Sequence, residues 1–138
     1  MTKIFADANF FIARFSEDDS LHSRALVQVK KLEHNDPEIW ISNLVFGEIV
    51  TVLSQRVGRQ RAIRIGNYLL SGDIRIAFVD EALNSLSWEI FQNIGKKNMG
   101  FVDCSILAVM RTEGIKKLLS FDEEDFSSLR RTYGFSFY

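Results

Sequence analysis

One cysteine and two histidines leave this chain without the donors that many small catalytic domains use. A lone Cys104 excludes an internal disulfide and a cysteine-rich zinc site, and agrees with a reducing compartment. His22 and His34 offer little with which to hold zinc or nickel, and they form no Ser-His-Asp or Cys-His arrangement, so nucleophilic catalysis by a side chain is not expected. No apolar run reaches the roughly 18 residues needed to span a bilayer. The opening MTKIFADANF has no basic region followed by an apolar stretch and a cleavage site, so the expectation is a cytoplasmic protein with no membrane association. There is no internal repeat, low-complexity tract or linker. A net charge of -1 means that the molecule as a whole is not an electrostatic magnet for nucleic acid.

What is present is a chain of 138 residues, 46% hydrophobic and 25% charged, the balance of an ordinary folded protein with one sizeable core. A single domain over 1–138 is expected. Charge is unevenly spread along it. Residues 49–72 hold Arg56, Arg59, Arg61 and Arg64 with no acid, whereas 122–125 read DEED. A local basic strip can hold a phosphate backbone even when the total charge is near zero.

Apolar runs predict strands at KIFA (3–6), IWIS (39–42), IRIAFV (74–79), KLLSF (117–121) and the closing FSFY. Helical spacing predicts helices over about 9–15, 20–33, 43–57, 59–70, 81–94, 101–113 and 123–131. Ser42 and Asp80 are candidate N-caps, and Gly114 a stop. Strands alternating with helices, without hairpin signals, predict an α/β protein with a mainly parallel central sheet covered on both faces. The twelve Phe are expected chiefly in the core, Phe5, Phe78 and Phe121 through their strands. Phe10, Phe11, Phe15 and Phe46 also suit a partner surface.

In an open parallel sheet, ligands bind beyond the carboxyl ends of the strands. Asp7 follows the first strand directly, Asp122 follows KLLSF, and Asp103 opens the apolar helix GFVDCSILAVM. Each also has a local use: an Asx turn for Asp7, the first helical turn for Asp103, and a capping arrangement with Asp125 for Asp122. Glu48 has none, because it interrupts the apolar stripe of its helix four residues after Leu44 and four before Val52. Its side chain should point to the core or to a cleft at the core's edge. Two carboxylates about 5 Å apart repel by roughly 3 kcal/mol at an effective dielectric near 20, so four converging acids must take up protons or hold a cation. Oxygen-only donors select hard divalent ions, Mg²⁺ or Mn²⁺, which suit phosphodiester hydrolysis.

In order and approximate spacing, Asp7 in FADAN, Glu48 in ISNLVFGEIV, Asp103 in GFVDCSILAVM and Asp122 in LSFDEEDF resemble the acidic set of PIN-domain nucleases, especially the VapC toxins of toxin-antitoxin pairs. The likeness covers essentially the whole chain. It implies a three-layer α/β/α PIN-like fold, Mg²⁺- or Mn²⁺-dependent cleavage of RNA, frequent homodimerisation and inhibition by a cognate antitoxin. By position it makes Asp7, Glu48, Asp103 and Asp122 the catalytic metal ligands, with Asn9 orienting Asp7 by a hydrogen bond. Ser120 stands where the family often has Thr, with its hydroxyl kept, and Cys104 where Ala is usual. Arg56, Arg59, Arg61, Arg64, Lys96 and Lys97 are candidates for contact with RNA, each with a solvated helix face or loop as the plainer use. The alternative function is a PIN-like module that binds RNA or protein without cutting, against which the complete acid set argues. Haloacid dehalogenase-type and receiver-type proteins fit poorly, since Asn9 replaces the second Asp of the former and Glu48 lies inside a helix.

Overall fold

β1 (Lys3–Ala6) is the middle strand of a five-stranded sheet in which every neighbouring pair runs parallel. The computed structural model describes residues 1–138. On one side β1 pairs with β2 (Glu38–Ser42), with Phe5 opposite Trp40, and β2 pairs with β3 (Ile74–Ala77). On the other side it pairs with β4 (Lys117–Leu119), with Ala6 opposite Leu119, and β4 pairs with the edge strand β5 (Ser136–Phe137). Ile4, Phe5 and Ala6 are wholly buried, as a strand covered on both faces must be.

α1 (Ala8–Phe15) and α2 (His22–Asn35) carry the chain from β1 to β2; α3 (Asn43–Arg56) and α4 (Arg59–Leu69) carry it from β2 to β3. α1 packs on α2 and α3, and α3 on α4, so these four make one layer. α5 (Glu81–Asn93) and α6 (Phe101–Glu113) pack on each other and return the chain across the sheet to β4; α7 (Glu123–Ser127) and α8 (Arg130–Tyr133) lead on to β5. Right-handed crossovers put this second group on the opposite face, which completes the three-layer α/β/α arrangement. The chain moves outward to one side after β1 and to the other after β4. Their adjacent carboxyl ends are therefore the point where a doubly wound sheet opens a crevice.

Local chemistry sets the helix ends. The Ser42 side chain accepts from Val45 N at 3.1 Å to start α3, and Asp80 accepts from Leu83 N at 3.0 Å to start α5, caps worth about 1 kcal/mol each. α6 stops at Gly114, whose φ of 67° is the left-handed cap that glycine adopts without strain. Between its ends, seven consecutive residues, Cys104 to Met110, are buried, so this helix is apolar on every side because it is covered on every side.

Three expectations need correction. The strands expected over 74–79 and 117–121 end at Ala77 and Leu119. Apolar character continues to Phe78 and Phe121, but sheet pairing does not, and Phe78 is 68% exposed. The helix expected over 123–131 is two, parted at Ser128 and Leu129. Phe10 and Phe11 lie in the core, 1% exposed each and edge to face at 5.0 Å, so they cannot form a partner surface; Phe15 and Phe46 are half-buried.

Candidate active site

Asp7, first beyond β1, caps α1: Ala8 N donates to its Oδ1 at 2.8 Å. Ser120, first beyond β4, donates to its Oδ2 at 2.8 Å. Ser120 Oγ in turn accepts from Asp122 N at 3.0 Å and from Asn9 Nδ2 at 3.3 Å, while Asn9 Oδ1 accepts from Phe121 N at 3.0 Å. This network sews the end of β1 to the segment after β4. Asn9 thus reaches Asp7 by hydrogen bonding at one remove, through Ser120.

Asp7 is only 5% exposed, and its pKa is pushed up to about 7. Burial is the largest cause; the bond from Ser120 opposes it, and the charges of Asp103 and Asp122 add to it. Asp103 lies in the first turn of α6, where its Oδ2 accepts from Gly100 N at 3.0 Å, the one half of a capping box that a glycine N-cap allows. Burial raises its pKa as well, against that bond, with help from Asp122 and Asp125. The local use foreseen for Asp103 is therefore real, and it coexists with a shared electrostatic environment.

Glu48 is exposed as a residue, which settles its direction: the rim of a cleft and not the core. Its carboxyl is nonetheless raised, first by partial burial and then by Asp103 and Asp122. Asp122 is exposed and its side chain makes no capping bond, so the arrangement with Asp125 is not formed by that carboxylate; only its carbonyl accepts from Asp125 N, at 3.1 Å. Asp103 and Asp122 act on both Asp7 and Glu48, so the four acids, from four separate segments, share one electrostatic neighbourhood.

No three of these side chains close into a ready-made metal cage. Bonds from Ala8 and Ser120 fix the Asp7 carboxylate and one from Gly100 fixes that of Asp103, while the side chains of Glu48 and Asp122 make no hydrogen bond. An all-oxygen donor set of this kind suits Mg²⁺ or Mn²⁺, which take one or two carboxylates directly and keep several waters.

The expected basic strip is dispersed. Arg56 pairs with Asp19 at 2.8 Å, Arg59 lines a groove of about 320 Å³ between α3 and α4 beside Phe46, Ile63 and Leu70, and Arg61 and Arg64 flank a separate hollow with Phe15 and Tyr68. Lys96 donates to Ser128 at 2.8 Å, and Lys97 is exposed in the loop before α6. A cation next to Asp122 goes unsignalled in the sequence: Arg24 of α2 pairs with Glu123 at 2.8 Å and lies 4.7 Å from the centre of the Phe121 ring, so it grips both chain neighbours of Asp122. Nothing in the sequence near Arg24 signals this, because its partner is 99 positions away.

The PIN domain family model matches residues 4–132. The chain belongs to the PIN-domain family. The 23S rRNA-specific endonuclease VapC20 of Mycobacterium tuberculosis is 33% identical over 126 residues, 91% of this PIN domain chain and 92% of VapC20. The crystal structure of that protein, described as a sarcin-ricin loop cleaving toxin, superposes with a TM-score of 0.78 at 32% identity, covering 91% of this chain and 93% of its own. A toxin-antitoxin complex from Klebsiella pneumoniae shares the fold at a TM-score of 0.67 and 19% identity, with 91% and 92% of the two chains covered. DNA-bound VapBC from Salmonella typhimurium does so at 0.69 and 17%, over 100% and 98%.

Proposed function

We propose that this PIN-domain protein is an endoribonuclease that hydrolyses RNA phosphodiester bonds, and that it is the toxin of a VapBC-type toxin-antitoxin pair acting in the cytoplasm as a homodimer of single-domain chains. The observation that carries the reading is the Asp7–Ser120–Asp122 network that joins the ends of β1 and β4, beside which Asp7, Glu48 and Asp103 are raised first by burial and then by neighbouring carboxylates. Similarity to a VapC endonuclease over nine-tenths of the chain supports the substrate class, and likeness to toxin-antitoxin assemblies supports an antitoxin partner.

In this reading the four carboxylates hold Mg²⁺ or Mn²⁺. A bound ion of this kind lowers the pKa of a water and offsets the charge that builds on the phosphate during hydrolysis. Asp7 lies deepest, oriented by Ser120 and Ala8. Glu48 and Asp122 face solvent and meet the RNA first. Asp103 keeps one oxygen on Gly100 N and presents the other to the pocket. Arg24 sits where it can take a phosphate oxygen by exchanging Glu123 for the RNA backbone.

The test is incubation with a mixed RNA pool and Mg²⁺ or Mn²⁺, with and without chelator, beside Asp7→Asn and Asp103→Asn. Cleavage that chelator and both substitutions abolish, in variants with unchanged circular dichroism, is expected. Cleavage that survives either would refute the metal mechanism, and tight RNA binding without any cleavage would favour a non-cutting module.

A further inference from the structure

Beyond α7 the chain gathers cations around a hollow of about 480 Å³, lined by Ser127, Ser128, Arg130, Arg131 and Phe135. Two guanidinium-bearing and two hydroxyl-bearing side chains belong to that lining, with no carboxylate among them. Lys96 adds an ammonium from the loop between α5 and α6, where it donates to Ser128 Oγ at 2.8 Å. None of these three cations forms an ion pair; the pairs in the chain are Arg24–Glu123 and Arg56–Asp19. Gathered like charges repel, so an anion held among them stabilises the group. Arg130 is oriented in advance: its Nε donates to Ser127 O at 3.1 Å and its guanidinium stands 5.8 Å from the centre of the Phe137 ring, which leaves its terminal Nη groups free to donate. The place of the hollow ties it to the acids. Ser128 lies six residues past Asp122, about 9 Å at the helical rise of roughly 1.5 Å per residue. Asp125, on the helix between them, is among the charges that raise the Asp103 carboxyl, so α7 runs from the acidic neighbourhood to the hollow.

Donors without an opposing carboxylate suit a ligand that is anionic and rich in acceptor oxygens, and a guanidinium fork matches phosphate oxygens in pairs. The four carboxylates of 122–125 repel any anion that approaches. An acidic peptide has no reason to lie beside them, whereas an RNA strand brought to the acids for cleavage does, and needs a cationic hold just beyond. About 9 Å corresponds to about three nucleotide rises of roughly 3.4 Å, so the same strand reaches the hollow. We propose that Lys96, Arg130 and Arg131 clamp a backbone phosphate of the substrate RNA about three nucleotides from the scissile bond, a second anchoring point that fixes the register of the strand over the acids. The proposal rests on the nuclease reading for its substrate, and extends it to a subsite that holds backbone whatever the base.

Arg131 is exposed and forms no ion pair, so Arg131→Glu is expected to fold as the parent does, by circular dichroism. Arg75→Glu, on β3 at the opposite edge of the sheet, makes the same change in net charge and serves as the control. Binding of a labelled RNA oligonucleotide is followed by fluorescence anisotropy in EDTA, where no cleavage is expected, between roughly 50 and 200 mM salt. Arg131→Glu should weaken binding about tenfold and make its salt dependence shallower by roughly one phosphate contact, and Arg75→Glu should leave both nearly unchanged. With Mg²⁺ or Mn²⁺ present, Arg131→Glu should raise KM with kcat little altered. A single neutral methylphosphonate about three nucleotides to one side of the mapped cut should weaken binding to the parent and have no further effect on Arg131→Glu. Equal losses in Arg131→Glu and Arg75→Glu, or a methylphosphonate effect that survives Arg131→Glu at every position, overturn the proposal. So does lost binding of a polyglutamate peptide in Arg131→Glu with RNA affinity intact, which would give the hollow to an acidic protein segment. RNA binding that depends on Arg131 in a protein that never cleaves would sustain the clamp and sink the nuclease reading; cleavage with KM unchanged by Arg131→Glu does the reverse.

Discussion

Ser120 gives its hydroxyl proton to Asp7, Oγ to Oδ2 at 2.8 Å, across 113 positions of chain. The same oxygen accepts from Asn9 and from the Asp122 backbone, so one side chain ties three parts of the pocket together. Ser120→Ala should cost roughly 1–3 kcal/mol in chemical denaturation, because three polar groups lose a buried partner. It should also move the acidic limb of the pH–rate profile to higher pH, since the lost bond is what opposes the rise of the Asp7 pKa. An unshifted limb would mean that Asp7 does not titrate in the catalytic pH range.

Metal-free protein should be more stable at pH 5 than at pH 8. Asp7 has a folded-state pKa of about 7 against an ordinary 3.8. Between those values the folded chain binds more protons than the unfolded one, so stability falls as pH rises through the window. Asp7→Asn should flatten that slope and stabilise the metal-free protein at pH 8 by on the order of 2–4 kcal/mol. Thermal melts in EDTA at both pH values check it.

Asp103→Asn and Glu48→Gln should each weaken Mn²⁺ binding by calorimetry at least about tenfold and lower cleavage accordingly. Asp103→Asn should fold as the parent does, since an amide oxygen can still accept from Gly100 N. Glu48 lies at an exposed rim, so Glu48→Gln should shift stability by no more than about 0.5 kcal/mol.

Arg24→Ala should raise KM and leave kcat and folding nearly unchanged, with a salt dependence of RNA binding shallower by roughly one phosphate contact. Glu123→Gln frees the same arginine and should act in the opposite direction. Arg56→Ala, by contrast, removes a cation already engaged by Asp19. An effect there equal to that of Arg24→Ala would restore the idea of a basic strip.

Alternating strands and helices made Asp7, Asp103 and Asp122 legible in the sequence, since each sits where a strand gives way to a helix or a helix begins. Glu48 could be singled out by breaking its own apolar stripe, but core and cleft look alike at that level, and only the neighbouring elements decide between them. Phe78 and Phe121 misled because apolar pattern reports burial and not pairing: the sheet stops where the neighbouring strand stops. The arginines of 49–72 are contiguous in the chain yet turn to different hollows, because a helix spreads neighbours around its axis. Arg24 and the triple role of Ser120 depend on partners about a hundred positions away, which no local pattern carries.

Asp7 and Asp103 each use one oxygen to fasten the first turn of their own helix, and Asp7 takes Ser120 on the other, yet a carboxylate has about four lone-pair sites, so these bonds leave acceptor capacity on both. The fastening needs charge on neither side, and asparagine can do it too. On the proposed toxin reading, a copy disarmed at these positions would keep its contours, go on occupying whatever antitoxin reads them, and thereby leave more of the active copies unrestrained.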